Sequence, residues 1–147
     1  MIKKILVATD ASAASARAVV FAARLAVLHE SDLLILNVIR DMQLPEALRK
    51  DSNFESFYDA RDEVMRQAAD QILKEARQLA RDEGVKNIQT VIGSGDPATS
   101  VDGFARRRKV DLIVVGTRGL SKGKTSWMGS VSRKLLDITE INCLVIR

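Results

Sequence analysis

The sequence has few of the residues that build metal centres and disulfide frameworks. Its 147 residues include one cysteine, Cys143, and one histidine, His29. A single cysteine excludes an internal disulfide and a CxxC metal motif, and one histidine leaves too few ligands for a zinc site. Cys143 lies in the apolar run INCLVI, so we interpret it as a small buried hydrophobe rather than a reactive thiol. His29 falls late in the first predicted helix, where a solvated or interfacial position is expected rather than a catalytic one.

Aromatic side chains and long apolar runs are also scarce. Aromatic residues make up 4% of the chain, so stacking platforms for nucleic acid are few, and no nucleic-acid partner is expected despite a net charge of +4. No apolar run approaches the roughly 20 residues of a transmembrane helix. The N-terminus lacks a signal-peptide pattern. We therefore expect a cytoplasmic protein without a membrane partner.

What the sequence does contain is a regular alternation of strand-like and helical patterns. The predicted strands cover 3–9, 32–39, 87–93, 110–116 and 142–147, and the predicted helices cover 12–30, 59–83, 96–109 and 130–139. Residues 40–57 are expected to form an irregular connection with a short helical piece. Gly84 is placed to stop the helix 59–83, and the next helix is expected to start with Asp96 as its N-cap and Pro97 at its first position. Apolar strands that alternate with helices predict a parallel sheet covered on both faces. The length predicts one domain spanning residues 1–147.

Ligands of such sheets bind beyond the carboxyl ends of the strands, where the strand order reverses. The candidate functional segments are therefore those that follow the first, second and fourth strands. They are Ala8–Asp10, Val38–Arg40 and the stretch GTRGLSKGKTSWMGSVS at 116–132.

The triplet Gly123-Lys124-Thr125 in that stretch suggests a Walker A phosphate loop. The motif requires four residues between its first glycine and the Gly-Lys-Thr, which places that glycine at position 118. Position 118 is Arg118, and Gly119 leaves only Leu120, Ser121 and Lys122 in between. The Walker interpretation is therefore rejected.

A second glycine pattern in the same stretch is intact. Gly116 is followed after two residues by Gly119, and nine residues later by Gly129 and Ser130. The first two glycines allow the backbone to approach a ligand closely, and the start of the following helix offers free N–H groups to an anion. The pattern therefore predicts a segment that wraps a polyphosphate. Further donors or cations would come from Ser130, Ser132, Lys122 and Lys124.

These segments, in this order, resemble the single-domain, ATP-binding branch of the universal stress protein family. The pattern G-x2-G-x9-G-[S/T] after the fourth strand is that family's nucleotide signature. KKILVATDAS, SGDPATSV, VDLIVVGTRGL and GSVSRKLL are similar to its other recognisable segments, and the resemblance covers essentially the whole chain. It implies a Rossmann-like α/β three-layer sandwich with a five-stranded parallel sheet in the order 3-2-1-4-5.

The resemblance also implies roles for individual residues on the ribose and adenine side. Ala8, Thr9 and Asp10 would contact the ribose and the metal–phosphate region, with Asp10 as the carboxylate nearest the metal or the ribose. Ala8 stands where many relatives carry proline, which a largely main-chain contact tolerates. The main chain of Val38 would read adenine. The structural alternatives are that Asp10 or Ser12 caps the first helix, and that Val38 is an ordinary core valine.

On the phosphate side the resemblance assigns the glycine frame. The implied residues are Gly116, Arg118, Gly119, Gly129, Ser130, Val131 and Ser132. The alternatives are a plain β-turn for Gly116 and Gly119, an N-cap for Ser130, and a solvated surface charge for Arg118.

The implied ligand is ATP or AMP with Mg²⁺, and the implied assembly is a homodimer through strand 142–147. Fast hydrolysis needs a positioned base and charge stabilisation, yet the loop holds no glutamate and Asp10 is the only assigned carboxylate. We therefore expect slow hydrolysis or none, in a stress-response or regulatory role. Two alternatives stay open, a regulatory protein of this fold that binds no nucleotide and a weak ATPase.

Overall fold

A computed structural model describes residues 1–51, 53–118 and 128–147 of the chain. Strands and helices alternate along it, as the sequence pattern predicts. The strands are β1 (Lys4–Ala8), β2 (Asp32–Ile39), β3 (Ile88–Ser94), β4 (Leu112–Gly116) and β5 (Asn142–Ile146). The helices are α1 (Ala13–His29), α2 (Glu46–Arg49), α3 (Phe54–Asp82), α4 (Pro97–Arg108) and α5 (Ser130–Ile138). In the described ranges, no helix combines the length and apolar character needed to cross a membrane.

The strands form one parallel sheet in the order β3-β2-β1-β4-β5. The central strand β1 pairs with β2 on one side and β4 on the other, so that Val7 lies opposite both Ile35 and Val114. Because β2 and β4 flank β1, the chain reverses its direction of travel across the sheet at β1. The predicted α/β class, parallel sheet and strand order are confirmed.

Alternation along the strands divides the core between the two faces of the sheet. Ile5 and Val7 of β1 belong to a buried cluster with α1 and α3, whereas Leu6 belongs to a cluster with α4 and α5. Successive side chains of a strand point to opposite faces, which is why neighbouring residues join different clusters. The result is the expected three-layer arrangement, helices, sheet and helices.

Helix α3 begins earlier than its apolar periodicity predicts. We expect its start at residue 59 from the sequence, but the helix begins at Phe54. Phe54 and Tyr58 are four positions apart, a spacing that brings side chains together on one face of a helix, and their ring centroids are 5.8 Å apart. Such a pair favours a helix over an irregular connection. The predicted short helical piece between β2 and this helix is α2.

Helices α1, α3 and α4 end in the same hydrogen-bonded motif, with a left-handed residue just after the helix. In α3 that residue is Gly84, with φ of +96°, and Val85 N–H donates to the Ala80 carbonyl at 3.2 Å. This confirms the predicted stop at Gly84. The corresponding residues of α1 and α4 are Glu30 and Lys109, which adopt the left-handed conformation despite having side chains.

Candidate functional site

The loops after β1 and β4 meet at the carboxyl edge of the sheet. The side-chain hydroxyl of Ser12, in the first loop, donates a hydrogen bond of 3.2 Å to the carbonyl of Arg118, in the second. The two residues are 106 positions apart in the chain. The parallel pairing of β1 with β4 therefore places Ala8–Asp10 beside Gly116–Arg118, as the predicted topology requires.

Within the first loop, Ser12 and not Asp10 caps helix α1. The Ser12 hydroxyl accepts the Ser15 N–H at 3.2 Å, and the Asp10 carboxylate accepts the Ser12 N–H at 3.0 Å. Between them Ala11 is left-handed, with φ of +67°, a conformation that residues with a side chain adopt at a cost. The loop thus turns sharply from β1 into α1, and Asp10 lies half-buried within it.

A buried polar network supports this loop from beneath. The hydroxyls of Thr9 and Ser15 are 3.1 Å apart, and the Asn37 side chain donates to the Thr9 carbonyl at 2.8 Å. The Thr9 side chain therefore points into the fold, and its main chain is bonded as well, since the Thr9 N–H donates to the Leu36 carbonyl at 2.9 Å. Asn37 is a residue that the sequence analysis missed. Its signal was a lone amide in the otherwise apolar run LLILNVI, because a buried amide requires a partner.

Gly116 has a packing reason to be glycine. A Cβ at this position would lie 2.9 Å from the Ala14 carbonyl carbon and 3.0 Å from the Ser15 nitrogen, both main-chain atoms of α1. Gly116 is the last residue of β4, where the chain leaves the sheet. The missing side chain allows the first turn of α1 to pack directly on the end of β4.

The start of α5 is anchored at Thr117, immediately after β4. Gly129 N–H donates to the Thr117 carbonyl, and the Ser132 hydroxyl donates to the same carbonyl at 3.3 Å. The Ser132 hydroxyl also lies 3.2 Å from the Gly129 carbonyl. Both ends of the β4–α5 connection are therefore held at one point of the sheet edge.

This anchoring decides what the helix start can offer to a ligand. Gly129 is the N-cap, so the alternative of Ser130 as the N-cap is wrong. Ser132 is 3% exposed and its hydroxyl contacts main-chain carbonyls, so the predicted hydroxyl donor at this position points inward. The main-chain N–H groups of Ser130, Val131 and Ser132 have no partner four residues earlier in their helix. They are the donors that the start of α5 provides.

The other predicted site residues occupy different surroundings. Val38 is half-buried near the end of β2, opposite Gly93 of β3, and it packs against the core on the α4 and α5 face. Arg118 is exposed, while its carbonyl accepts the Ser12 hydroxyl. Gly119 and the two lysines of the same segment lie outside the described residues.

A charged contact joins the starts of α4 and α5. Asp96, the N-cap of α4, accepts the Thr99 N–H at 3.0 Å and forms an ion pair of 3.1 Å with Lys134 of α5. The Thr99 N–H, then the Thr99 hydroxyl and Lys134, lower the pKa of Asp96 from its ordinary value of 3.8 to about 2. Asp96 as N-cap and Pro97 at the first helical position confirm the sequence prediction. Two helix starts are thereby fixed side by side.

A groove of about 530 Å³ lies elsewhere, between α3 and the edge strand β3. It contains none of the predicted site residues, and it runs beside the middle of β3 rather than at the carboxyl ends of β1 and β4. Its lining residues are Asp70, Leu73, Lys74, Arg77, Thr90, Val91 and Ile92. We place the candidate site by the loop contacts and not by this groove.

A sequence model of the universal stress protein family matches residues 1–147. The chain belongs to the universal stress protein family. The family member YxiE of Bacillus subtilis (strain 168) is 35% identical to it over 150 residues, and the match covers 100% of both chains. The resemblance inferred from the sequence is therefore confirmed over the whole chain.

Solved structures of universal stress proteins share the fold. UspA from Lactobacillus plantarum superimposes with a TM-score of 0.79 at 27% identity, covering 99% of this chain and 98% of that one. A universal stress protein in complex with cAMP has a TM-score of 0.71 at 25% identity, covering 99% and 97% of the two chains. At least one structural relative within the family thus binds an adenine nucleotide.

Proposed function

We propose that the chain is a nucleotide-binding universal stress protein that holds ATP, or AMP, at the junction of the β1–α1 loop and the start of α5. The observation that carries the proposal is the anchoring of Gly129 and Ser132 on Thr117. It brings the main-chain N–H groups of α5 to the strand-order reversal beside β1, where parallel sheets bind ligands. The related structure with cAMP supports an adenine nucleotide as the ligand.

Each part of the site has a proposed partner on the nucleotide. Ala8, Thr9 and Asp10 border the ribose and the metal–phosphate region, and the main chain of Val38 reads adenine. The phosphates lie against the glycine frame and the start of α5. That second group consists of Gly116, Arg118, Gly119, Gly129, Ser130, Val131 and Ser132.

We propose that Mg²⁺ enters with the nucleotide instead of occupying a site built by the protein alone. Among the residues that the structure describes, no three histidine, cysteine, aspartate or glutamate side chains are grouped to hold a metal. Mg²⁺ commonly keeps several waters and binds through phosphate oxygens with one or two carboxylates. Asp10 is the carboxylate proposed to approach it.

The proposed role of the nucleotide is structural or regulatory, with slow hydrolysis or none. Asp10, which accepts the Ser12 N–H as part of the loop's turn, is the only carboxylate proposed at the site. Without a positioned base and added charge stabilisation, phosphoryl transfer is slow. A stress-response function and a cytoplasmic location remain predictions.

We also propose a homodimer through the segment 142–147. β5 is an edge strand, and its last four residues, Cys143–Ile146, are only half-buried. An apolar edge strand invites pairing with another chain. Light scattering at micromolar concentration should therefore give the mass of two chains, and a monomeric mass would contradict the dimer.

The nucleotide proposal is tested by calorimetric titration of ATP with Mg²⁺ into the Gly129→Val variant. A branched side chain at the N-cap would occupy the space in front of the α5 N–H groups, so we expect binding to become undetectable. Gly103→Val is the matched control, because a Cβ at this helical glycine meets only the flexible end of Arg107, at 3.3 Å. Unchanged affinity in Gly129→Val would contradict the proposal.

A further inference from the structure

Ser12 has two roles at the carboxyl edge, and only one of them is helix capping. Its hydroxyl accepts the Ser15 N–H and donates to the Arg118 carbonyl, both at 3.2 Å. We propose that Ser12 is a positioning residue, which sets the position of Arg118 on the phosphate side of the site and thereby favours nucleotides that carry a phosphate chain. The inference rests on the nucleotide site proposed above and adds a residue that the family's glycine signature does not contain.

The bond from Ser12 to Arg118 acts where the chain leaves the sheet. The preceding residue, Thr117, is fixed from the opposite side, since its N–H donates to the Ile146 carbonyl at 2.7 Å and its carbonyl accepts the Ser132 hydroxyl. Ser12 holds the next peptide group from the side of α1. The Thr117 and Arg118 carbonyls are thus each held by a hydroxyl from the start of a different helix.

The contact joins a buried donor to an acceptor nearer the surface. Ser12 is 8% exposed, which restricts its hydroxyl, whereas Arg118 is an exposed residue. One hydrogen bond between neutral groups changes an equilibrium by about three- to tenfold, which is enough to bias the position of Arg118.

The same residue links the metal side of the site to the phosphate side. Asp10 accepts the Ser12 N–H at 3.0 Å, and the Ser12 hydroxyl reaches Arg118. A ligand that draws on Asp10 thus acts on the residue that positions Arg118, and the coupling is reciprocal. Adenine is proposed to contact Val38 on β2, a strand that Ser12 reaches indirectly, through Ser15, Thr9 and Asn37.

The test compares ATP with adenosine in the Ser12→Gly variant of the full chain. Glycine retains most of the N-cap preference, so α1 should keep its start while the bond to Arg118 is lost. We expect the affinity for ATP to fall about three- to tenfold, the range of one hydrogen bond, while that for adenosine changes less than about twofold. Ser12→Thr, which restores a hydroxyl, should recover the ratio of the two affinities.

Ser31→Gly is the matched control. Ser31 is also buried and also donates from its hydroxyl to a carbonyl, that of Ile2 at 2.6 Å, but at the opposite end of α1. It should lower stability without changing the ratio of ATP to adenosine affinity. A ratio that shifts equally in both variants would overturn the positioning role of Ser12.

The remaining outcomes separate this inference from the function on which it rests. If the unaltered chain binds ATP and Ser12→Gly loses both ligands equally or neither, the positioning role is wrong and the nucleotide site stands. A ratio that Ser12→Thr leaves at the Ser12→Gly value would also overturn it. If the unaltered chain binds neither ligand, the nucleotide site and the positioning role are both wrong.

Discussion

The carboxyl edge of the sheet, where the parallel strands end, and the amino edge, where they begin, are built differently. Six polar residues are buried in the described part of the chain, and five of them, Thr9, Ser12, Ser15, Asn37 and Ser132, lie at the carboxyl edge. The amino edge has only Ser31, and it is otherwise closed by helix-end motifs and by Asp111, which accepts the main-chain N–H groups of Lys3 and Lys4. The amino edge shows that the ends of the strands can be covered with few buried polar side chains. We therefore infer that the polar network at the carboxyl edge holds the loops there in place.

Among changes at the two edges, adding a side chain at Gly116 should lower the stability most. Gly116→Val should lower the free energy of unfolding by about 3 kcal/mol, because its Cβ would overlap main-chain atoms of α1 that cannot move independently. Urea unfolding followed by circular dichroism measures the loss. Gly103→Val on α4 should change stability by less than about 0.5 kcal/mol. Equal effects in the two variants would show that the close approach at β4 is not required.

Removing the amide beneath the β1–α1 loop should have the next largest effect. Asn37→Leu keeps the side-chain volume but leaves the Thr9 carbonyl without its donor, which should lower stability by about 1–3 kcal/mol. Asn87→Leu removes an exposed amide near the amino edge, where its partner is the Asp32 carboxylate, and it should be nearly neutral. Denaturant midpoints of both variants measure the difference, and a neutral Asn37→Leu would remove the network's proposed supporting role.

The lowered pKa of Asp96, which the Thr99 N–H, the Thr99 hydroxyl and Lys134 cause, predicts a pH dependence. The folded chain holds the pKa of Asp96 at about 2, below its ordinary value of 3.8, so its charged form stabilises the fold above that ordinary value. This contribution should diminish as the pH falls from about 4 toward 2. Asp96→Asn keeps an N-cap but not the charge. Unfolding midpoints of the two proteins should converge on acidification, and a constant difference would contradict the contribution of the charged Asp96 carboxylate.

The smallest effect is expected at the amino edge, where α4 ends. Lys109 is left-handed, with φ of +53°, and glycine adopts this conformation without the steric cost of a side chain. Lys109→Gly should therefore stabilise the chain by about 0.5–1 kcal/mol without changing nucleotide affinity. Gly84→Ala, at the equivalent position of α3, should destabilise by a similar amount. Thermal unfolding measures both, and a change in ligand affinity would show that the two edges are coupled.

The sequence was sufficient to predict most of the fold because the relevant signals are local. Apolar runs alternating with helical periodicity predicted the parallel sheet, Asp96 and Pro97 marked the start of α4, and Gly84 marked the end of α3. The start of α3 was missed, because the favourable pair of Phe54 and Tyr58 lies within a polar stretch whose apolar spacing is weak. Element boundaries depend on such single contacts more than on periodicity.

In the candidate site, too, local features could be predicted from the sequence and contacts between elements could not. The glycine pattern from Gly116 to Ser130 could be recognised from spacing alone, and so could the position of its segment at the carboxyl edge. Spacing did not reveal that Gly116 accommodates α1, or that the Ser132 hydroxyl points inward to Thr117. Each of these facts depends on a partner in another element.

By itself, therefore, the sequence determined the order of elements, the parallel sheet and the family to which the chain belongs, since each is written in the periodicity and spacing of neighbouring residues. The tertiary structure alone decided that Ser12 meets Arg118 and that Asn37 supports Thr9. Ser12 and Arg118 are 106 positions apart, and no local pattern encodes a hydrogen bond over that distance. Only the pairing of β1 with β4 and β2 brings these groups within bonding distance.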